Sequence, residues 1–215
     1  MATVPLKPQY GPTLGRLLAP RWHAAGGVVR GAVIAAGIGL VALAVGALLT
    51  LEPAKISHGG AVPFHFSYRG LYRTAPAPGG YVRVQRRARG RLEDSFAVAP
   101  LRLPPYAGGL SGELPLYASG YIRALSRKYG SFVLRGEGKT RVNTVPAYNV
   151  FYTATVQGRK MYGRDVLLLP EGSRVRDGVA IEMLTSPTAN SKVTSPLEVA
   201  SAGVLERPLK TFTFG

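Results

Sequence analysis

Cysteine is absent from the chain. That excludes disulfides, thiolate metal sites, a cysteine nucleophile and lipid attachment through sulfur. Any folded domain must therefore be held by its apolar core. Histidine is scarce: the chain has only His23, His58 and His65. His23 precedes a long apolar run, and no acids cluster around the other two, so no metal centre is expected. Acidic residues are few as well. The 11 Asp and Glu face 27 Lys and Arg, for a formal net charge of +16. Glu93-Asp94 is the one adjacent acidic pair, and neighbours on a strand point to opposite faces. No Gly-x-Ser-x-Gly elbow and no Gly-x-x-x-x-Gly-Lys-Ser/Thr loop occurs. Gly136-Glu137-Gly138-Lys139-Thr140 has the flavour of a phosphate loop but no strand-to-helix context, so it reads as a hairpin turn. These absences point away from an enzyme and away from a cofactor.

What is present is unevenly spread. Gly31 through Leu51 contains no charge, and Thr50 is its only polar side chain. As a helix this run is roughly 31 Å long at ~1.5 Å per residue, the thickness of a bilayer's hydrocarbon core. It has no polar stripe of the kind a soluble core helix shows. A transmembrane helix is expected over residues 28–51, after a basic tail over 1–27. Lys7, Arg16, Arg21 and Arg30 precede the run and no acid accompanies them, which places the tail in the cytoplasm. Arg21, Trp22 and Arg30 flank the span, with Trp22 at headgroup level. The run is longer than the ~7–15 apolar residues of a cleaved signal peptide, and no small-residue cleavage site follows it. An uncleaved signal anchor in the plasma membrane fits better. Gly31 and Ala35 supply one small-xxx-small pair through which two such helices could approach.

Residues 52–61 read as a linker and 62–215 as one extracytoplasmic domain. Val62–Arg69 alternates, with Phe64, Phe66 and Tyr68 on one side, as a half-buried strand does. Strands are expected at Tyr81–Gln85 and Leu92–Leu103, with the arginines from 86 to 91 forming a charged turn. From Leu114 to Tyr129, Ala118, Tyr121, Ile122, Leu125 and Tyr129 follow helical spacing, and Gly130 stops the helix. Four strands come next: a short one at Phe132–Gly136, then Thr144–Val156, Lys160–Leu169 and Val179–Leu184. Gln157-Gly158-Arg159 turns the chain between the second and third of these. Ser195 and Pro196 open a second helix running to about Glu206. Thr211–Phe214 ends the domain in extended form. Mostly hairpin connections and few helices imply an α+β domain, an antiparallel sheet with two packed helices.

This order resembles the PsbP-like fold, known from photosystem II extrinsic subunits and envelope proteins of actinobacteria. The resemblance rests on four segments: VPFHFSYRGLY at the start, RKYG ending the helix, the hairpin YNVFYTATVQGRKMYGRDVLLL, and KTFTFG at the end. It implies a binding or assembly subunit and identifies no functional residue.

The densest chemical feature is basic. Arg83, Arg86, Arg87, Arg89 and Arg91 fall close together beside Tyr81. Such a cluster suits phospholipid headgroups or an anionic wall polymer. A proteome-wide bias toward Arg, Ala, Gly and Pro would produce the same excess. Nucleic acid is disfavoured, because the domain is expected outside the cell. The expectation is a non-enzymatic, membrane-anchored envelope protein that binds the bilayer, another envelope or membrane protein, or an anionic lipid or wall polymer. The alternative is an enzyme acting on envelope polymer, with a site that only folding assembles.

Overall fold

The computed structural model describes residues 26–49, 53–74, 79–104, 110–170, 176–189 and 191–215. The chain divides into two compact units, Met1–Glu52 and Pro53–Gly215.

The described part of the first unit is one helix, α1 (Gly27–Leu49). Its described apolar side chains, among them Ile34, Ile38, Leu40, Val41 and Leu43, are exposed. The side chains of Arg30, Val33 and residues 44–49 are not among those described. Among those that are, no helix is long and apolar enough to cross a membrane. The expected tail over 1–27, with Arg21 and Trp22, falls almost wholly outside the described residues, as do the last residues of the expected span.

The described residues of the second unit form ten strands. β1 (Ala54–His58), β2 (Phe64–Tyr68) and β10 (Thr213–Phe214) form a three-stranded sheet in the order β1-β2-β10. The others are β3 (Tyr72–Thr74), β4 (Val82–Ala88), β5 (Arg91–Arg102), β6 (Gly130–Val142), β7 (Val145–Val156), β8 (Arg159–Leu168) and β9 (Asp177–Thr185). They make a seven-stranded sheet in the order β3-β4-β5-β9-β8-β7-β6. All pairings in both sheets are antiparallel. The helix α2 (Leu110–Lys128) joins β5 to β6. A 3-10 turn (Pro196–Glu198) and a short helix α3 (Glu206–Lys210) precede β10.

The large sheet carries buried side chains on both faces, and side-chain parity sorts them. Val82, Val84, Phe96, Val98, Ile181 and Met183 point to one face and pack with Phe64 and Phe66 of the small sheet and with Phe212 just before β10. Aromatic rings dominate that layer, with Phe66 and Phe96 4.9 Å apart and Phe64 and Phe212 5.4 Å apart. Val150, Tyr152, Ala154, Met161, Leu167 and Ala180 point to the other face, where Leu114, Ala118 and Leu125 of α2 cover them. The helix lies over β6 and β7. Among the described residues, no helix packs on the half of this face toward β4.

The fold is α+β and antiparallel, as expected, but it departs from the sequence reading in several places. There are two sheets, not one. A strand, β1, occupies part of the expected linker over 52–61, because Ile56 is buried against the aromatic layer. β3 forms within the expected loop after Leu71. β6 runs straight through Gly136–Thr140, so that stretch is a bulged edge strand, and the turn comes at Asn143, whose φ is +53°. The expected second helix is a single 3-10 turn followed by irregular chain, with α3 starting where it was to end. Glu198 folds back to accept hydrogen bonds from the Thr194 and Ser195 amides at 2.7 and 3.2 Å, so the capping signal is real. Ala200 and Gly203, at φ of +64° and +80°, then break the helix.

Candidate functional site

β4 carries most of the basic cluster, and alternation divides it. Val82 and Val84 enter the aromatic layer, so Arg83, Gln85 and Arg87 point to the helix-bearing face. The register shifts between Arg86 and Arg87: Arg86 pairs with Asp94, and Arg87 pairs with Leu92. Glu93 is the residue passed over. This bulge corrects the expectation that Glu93 and Asp94, pointing to opposite faces, are poorly placed to act together. Both contact one guanidinium, Glu93 at 3.3 Å and Asp94 at 2.7 Å. Asp94 is buried and also accepts a hydrogen bond from Thr185 Oγ1 at 2.6 Å. Arg86 donates onward to the Ala189 carbonyl at 3.2 Å. It is therefore an internal bracket between β4, β5 and the chain after β9, and not part of an outward patch.

Arg89 and Gly90, at φ of +50° and +75°, form the two-residue turn. Arg87, Arg89 and Arg91 are exposed around it, and Arg87 Nη1 donates to the Gly90 carbonyl at 3.1 Å. Arg159, at the start of β8, borders the same surface together with Glu93. The sequence cluster thus separates into a hairpin tip (Arg87, Arg89, Arg91), an internal residue (Arg86) and a residue on the helix-bearing face (Arg83).

The β4 side of the helix-bearing face holds two adjoining hollows of about 210 and 280 Å3. Arg83, Ala97, Lys128 and Glu182 border both. Gln85, Arg87, Ser95 and Leu184 are among the other residues lining the first. Lys128, the last residue of α2, is held by Glu182 of β9 at 3.0 and 3.1 Å. Burial works against the Lys128 charge, but Glu182 and Tyr129 outweigh it and raise the pKa.

Under the helix lies a polar group that the sequence reading missed. Asp165 of β8 stands directly opposite Glu182 of β9. It is fully buried and accepts hydrogen bonds from Tyr121 of α2 at 2.8 Å and Tyr152 of β7 at 3.1 Å. Burial pushes its pKa up to about 8, with Glu182 adding to the rise and the two tyrosines opposing it. Burial, then the Asp165 charge, raises both phenols well above their ordinary value. Nothing in one sequence marks this trio, because its members come from three elements.

Of the two histidines among the described residues, His58 stacks on Phe64 at 4.8 Å and lies tilted against Tyr81 at 4.5 Å, and His65 Nε2 meets Thr213 Oγ1 at 2.7 Å.

No family model matches the chain, and no curated protein does. Solved structures include a cyanobacterial PsbP (CyanoP) from Synechocystis, 13% identical, covering 76% of this chain and 93% of that one at a TM-score of 0.49. LpqN, involved in cell envelope biogenesis of Mycobacterium tuberculosis, is 7% identical over 76% of this chain and 91% of that one, also at 0.49. A Pseudomonas aeruginosa protein of unknown function, PA94, is 10% identical over 64% and 85%, at 0.36. PsbP is also the family that the element order resembles. At such low identity none of these likenesses carries a function to this chain.

Proposed function

We propose that the chain is a single-pass, membrane-anchored protein of the cell envelope. Its folded unit lies outside the cytoplasm and binds without catalysis. The surface it uses is the β4–β5 hairpin tip, and the partner is an anionic surface, first of all phospholipid headgroups. The carrying observation is the exposure of Arg87, Arg89 and Arg91 around one turn, with Arg159 beside them. Charges grouped on a protruding tip can reach several headgroups at once, each contact worth about 1 kcal/mol near an anionic membrane. The exposed apolar side chains of α1 support the anchor, since water is a poor solvent for them.

The test is co-sedimentation of residues 53–215 with phosphatidylglycerol vesicles and with phosphatidylcholine vesicles. Binding to the first only, lost in high salt and lost on replacing Arg87, Arg89 and Arg91 by serine, is the expected result. Unchanged binding by the triple variant would sink the assignment. Binding to isolated wall polymer but not to vesicles would move the partner to the other anionic surface.

A second reading, an enzyme acting on envelope polymer, draws on Asp165 and Glu182. A carboxylic acid whose pKa burial raises, standing across the sheet from a second carboxylate, is the equipment of general acid–base chemistry. Asp165 is sealed beneath α2, however, and Glu182 is engaged by Lys128. Loss of polymer turnover in a Glu182→Gln variant that keeps vesicle binding would favour this reading.

A further inference from the structure

We infer that the hollow beside the β4–β5 hairpin tip takes a phosphate monoester, a group with two negative charges. This rests on the hairpin-tip reading and deepens it. The tip arginines attract any anionic surface, and Arg159 of β8 decides which anion is held.

One hollow of about 580 Å3 opens between the turn and the start of β8. Small-molecule sites usually fall in the range ~300–1,000 Å3. Ala88, Arg89, Arg91, Glu93 and Arg159 line it. Arg89 and Arg91 stand exposed on the turn. Arg159 differs from them, because it is half-buried and its position is fixed. Its Nη2 donates to Ser186 Oγ at 3.2 Å and to Thr188 Oγ1 at 3.1 Å. Those two hydroxyls also meet each other at 2.9 Å. Ser186 is buried, and its amide donates to the Glu93 carbonyl at 2.7 Å, which ties this support to β5.

Both partners of Arg159 are neutral, so they leave its charge unbalanced. Among the described residues, no carboxylate pairs with Arg159, Arg89 or Arg91. Glu93 lines the same hollow but contacts Arg86 at 3.3 Å. Asp94 shares that guanidinium at 2.7 Å, so this bracket has one negative charge in excess. The three arginines of the lining outweigh it by two. A phosphate monoester carries about −1.5 to −2 near pH 7 and has three strong acceptor oxygens, which balances that excess. A diester is singly charged and leaves part of it unmatched. The forked guanidinium suits phosphate oxygens taken two at a time.

Preorganisation gives Arg159 the deciding share. Holding a long side chain still for a ligand costs entropy. Arg89 and Arg91 bear that cost on binding, whereas Ser186 and Thr188 already hold Arg159.

The experiment uses the full chain in a neutral detergent, with binding read by calorimetry. The probes are ethyl phosphate, diethyl phosphate and sulfate. At about pH 7.5 we expect ethyl phosphate to bind at about 1 mM or tighter, and diethyl phosphate at least about tenfold more weakly. Lowering the pH to about 5.5 protonates the monoester, whose second pKa is ~6, and should remove most of that preference. Sulfate stays doubly charged, and no histidine lines the hollow, so sulfate binding should not follow pH. Arg159→Gln should weaken ethyl phosphate by about tenfold or more, the effect of losing charge-assisted hydrogen bonds. Arg159→Lys keeps the charge and loses the fork, so it should bind the two esters with little preference. Lys139→Ser removes one charge from exposed β6 and should bind as wild type. Doping the micelles with phosphatidic acid or with phosphatidylglycerol separates the sources. Displacement of ethyl phosphate by phosphatidic acid alone puts the monoester on a lipid. Displacement by neither, with ethyl phosphate still bound, keeps the site and puts the monoester on wall polymer or a soluble ester. The proposal is overturned if ethyl phosphate does not bind, if diethyl phosphate binds as tightly, if both lipids displace equally, or if both Arg159 variants keep the wild-type preference. Sedimentation with phosphatidylglycerol vesicles in that event leaves the hairpin-tip reading standing alone. Ethyl phosphate binding without vesicle binding removes the lipid partner and keeps this site.

Discussion

The ring of Tyr152 lies over Gly163, its register partner on the neighbouring strand, so closely that a β-carbon at 163 would sit 2.3 Å from the ring. Gly163 is therefore a space requirement, not a turn. It lets the phenol lie down along β8 and reach Asp165, two residues on. Phe132 and Tyr129 close over the same ring at 5.2 and 5.9 Å. Gly163→Ala should destabilise the folded unit by about 1–3 kcal/mol, the usual cost of overpacking a core. Urea denaturation of residues 53–215 reads this as a lower midpoint at unchanged slope. A midpoint within error of the wild type would mean that Tyr152 moves aside freely.

Asp165 makes stability depend on pH in a direction opposite to most carboxylates. Its pKa rises from an ordinary 3.8 to about 8 in the fold, chiefly through burial and then through Glu182. Between those values the folded chain holds a proton that the unfolded chain has released. Stability contributed by this group therefore falls as pH rises across that window and levels off above it. Asp165→Asn keeps a hydrogen-bonding group without the charge. The variant should gain stability relative to wild type as the pH is raised from about 5 to about 9. Parallel stability profiles for the two proteins would show that Asp165 is ionised in the fold throughout.

Periodic segments were legible in the sequence, and segments fixed by partners distant in the chain were not. β2, β7, β8 and α2 carry their own alternation or helical spacing, so local pattern and burial agree there. β1 and β3 are short and weakly patterned, and they form because β2 and β4 offer edges to pair with. Gly136 to Thr140 looks like a turn but is held extended by ten residues' worth of β7 alongside, down to the Val142–Val145 pair. The arginine cluster was visible as composition. Its separation into tip, bracket and sheet-face residue depends on strand parity and on one bulge. The Asp165 trio and the placing of Arg159 beside the tip depend on strand order in the sheet, and no local pattern carries that.

The bracket at Arg86 makes one arginine of the cluster unlike the rest. Asp94 is buried and joins Arg86 to Thr185, tying β4 and β9 through β5. Asp94→Ala would remove the buried acceptor of the Thr185 hydroxyl and leave the Arg86 guanidinium with only Glu93 and the Ala189 carbonyl. Loss of hydrogen bonds to a charged group should cost about 1.5–3 kcal/mol. Arg89→Ser and Arg91→Ser, on the exposed turn, should stay within about 0.5 kcal/mol of wild type. Thermal or urea denaturation of the three variants separates the roles. If Asp94→Ala melts with the tip variants, the ion pair is not holding the sheet.

The anchor can be tested by charge as well as by deletion. α1 leaves Ile38 and Val41 exposed. An arginine at the centre of a span costs about 2.5–3.5 kcal/mol on insertion scales. If α1 spans the membrane as proposed, Ile38→Arg with Val41→Arg should release the full chain from membranes at alkaline pH, and the wild type should be retained. Residues 53–215 alone should be released in the same way. The doubly substituted chain would still fold its second unit, since both substitutions lie in the first. Retention of the charged variant would mean that the membrane is held by the basic tip or the N-terminal tail and not by a spanning helix.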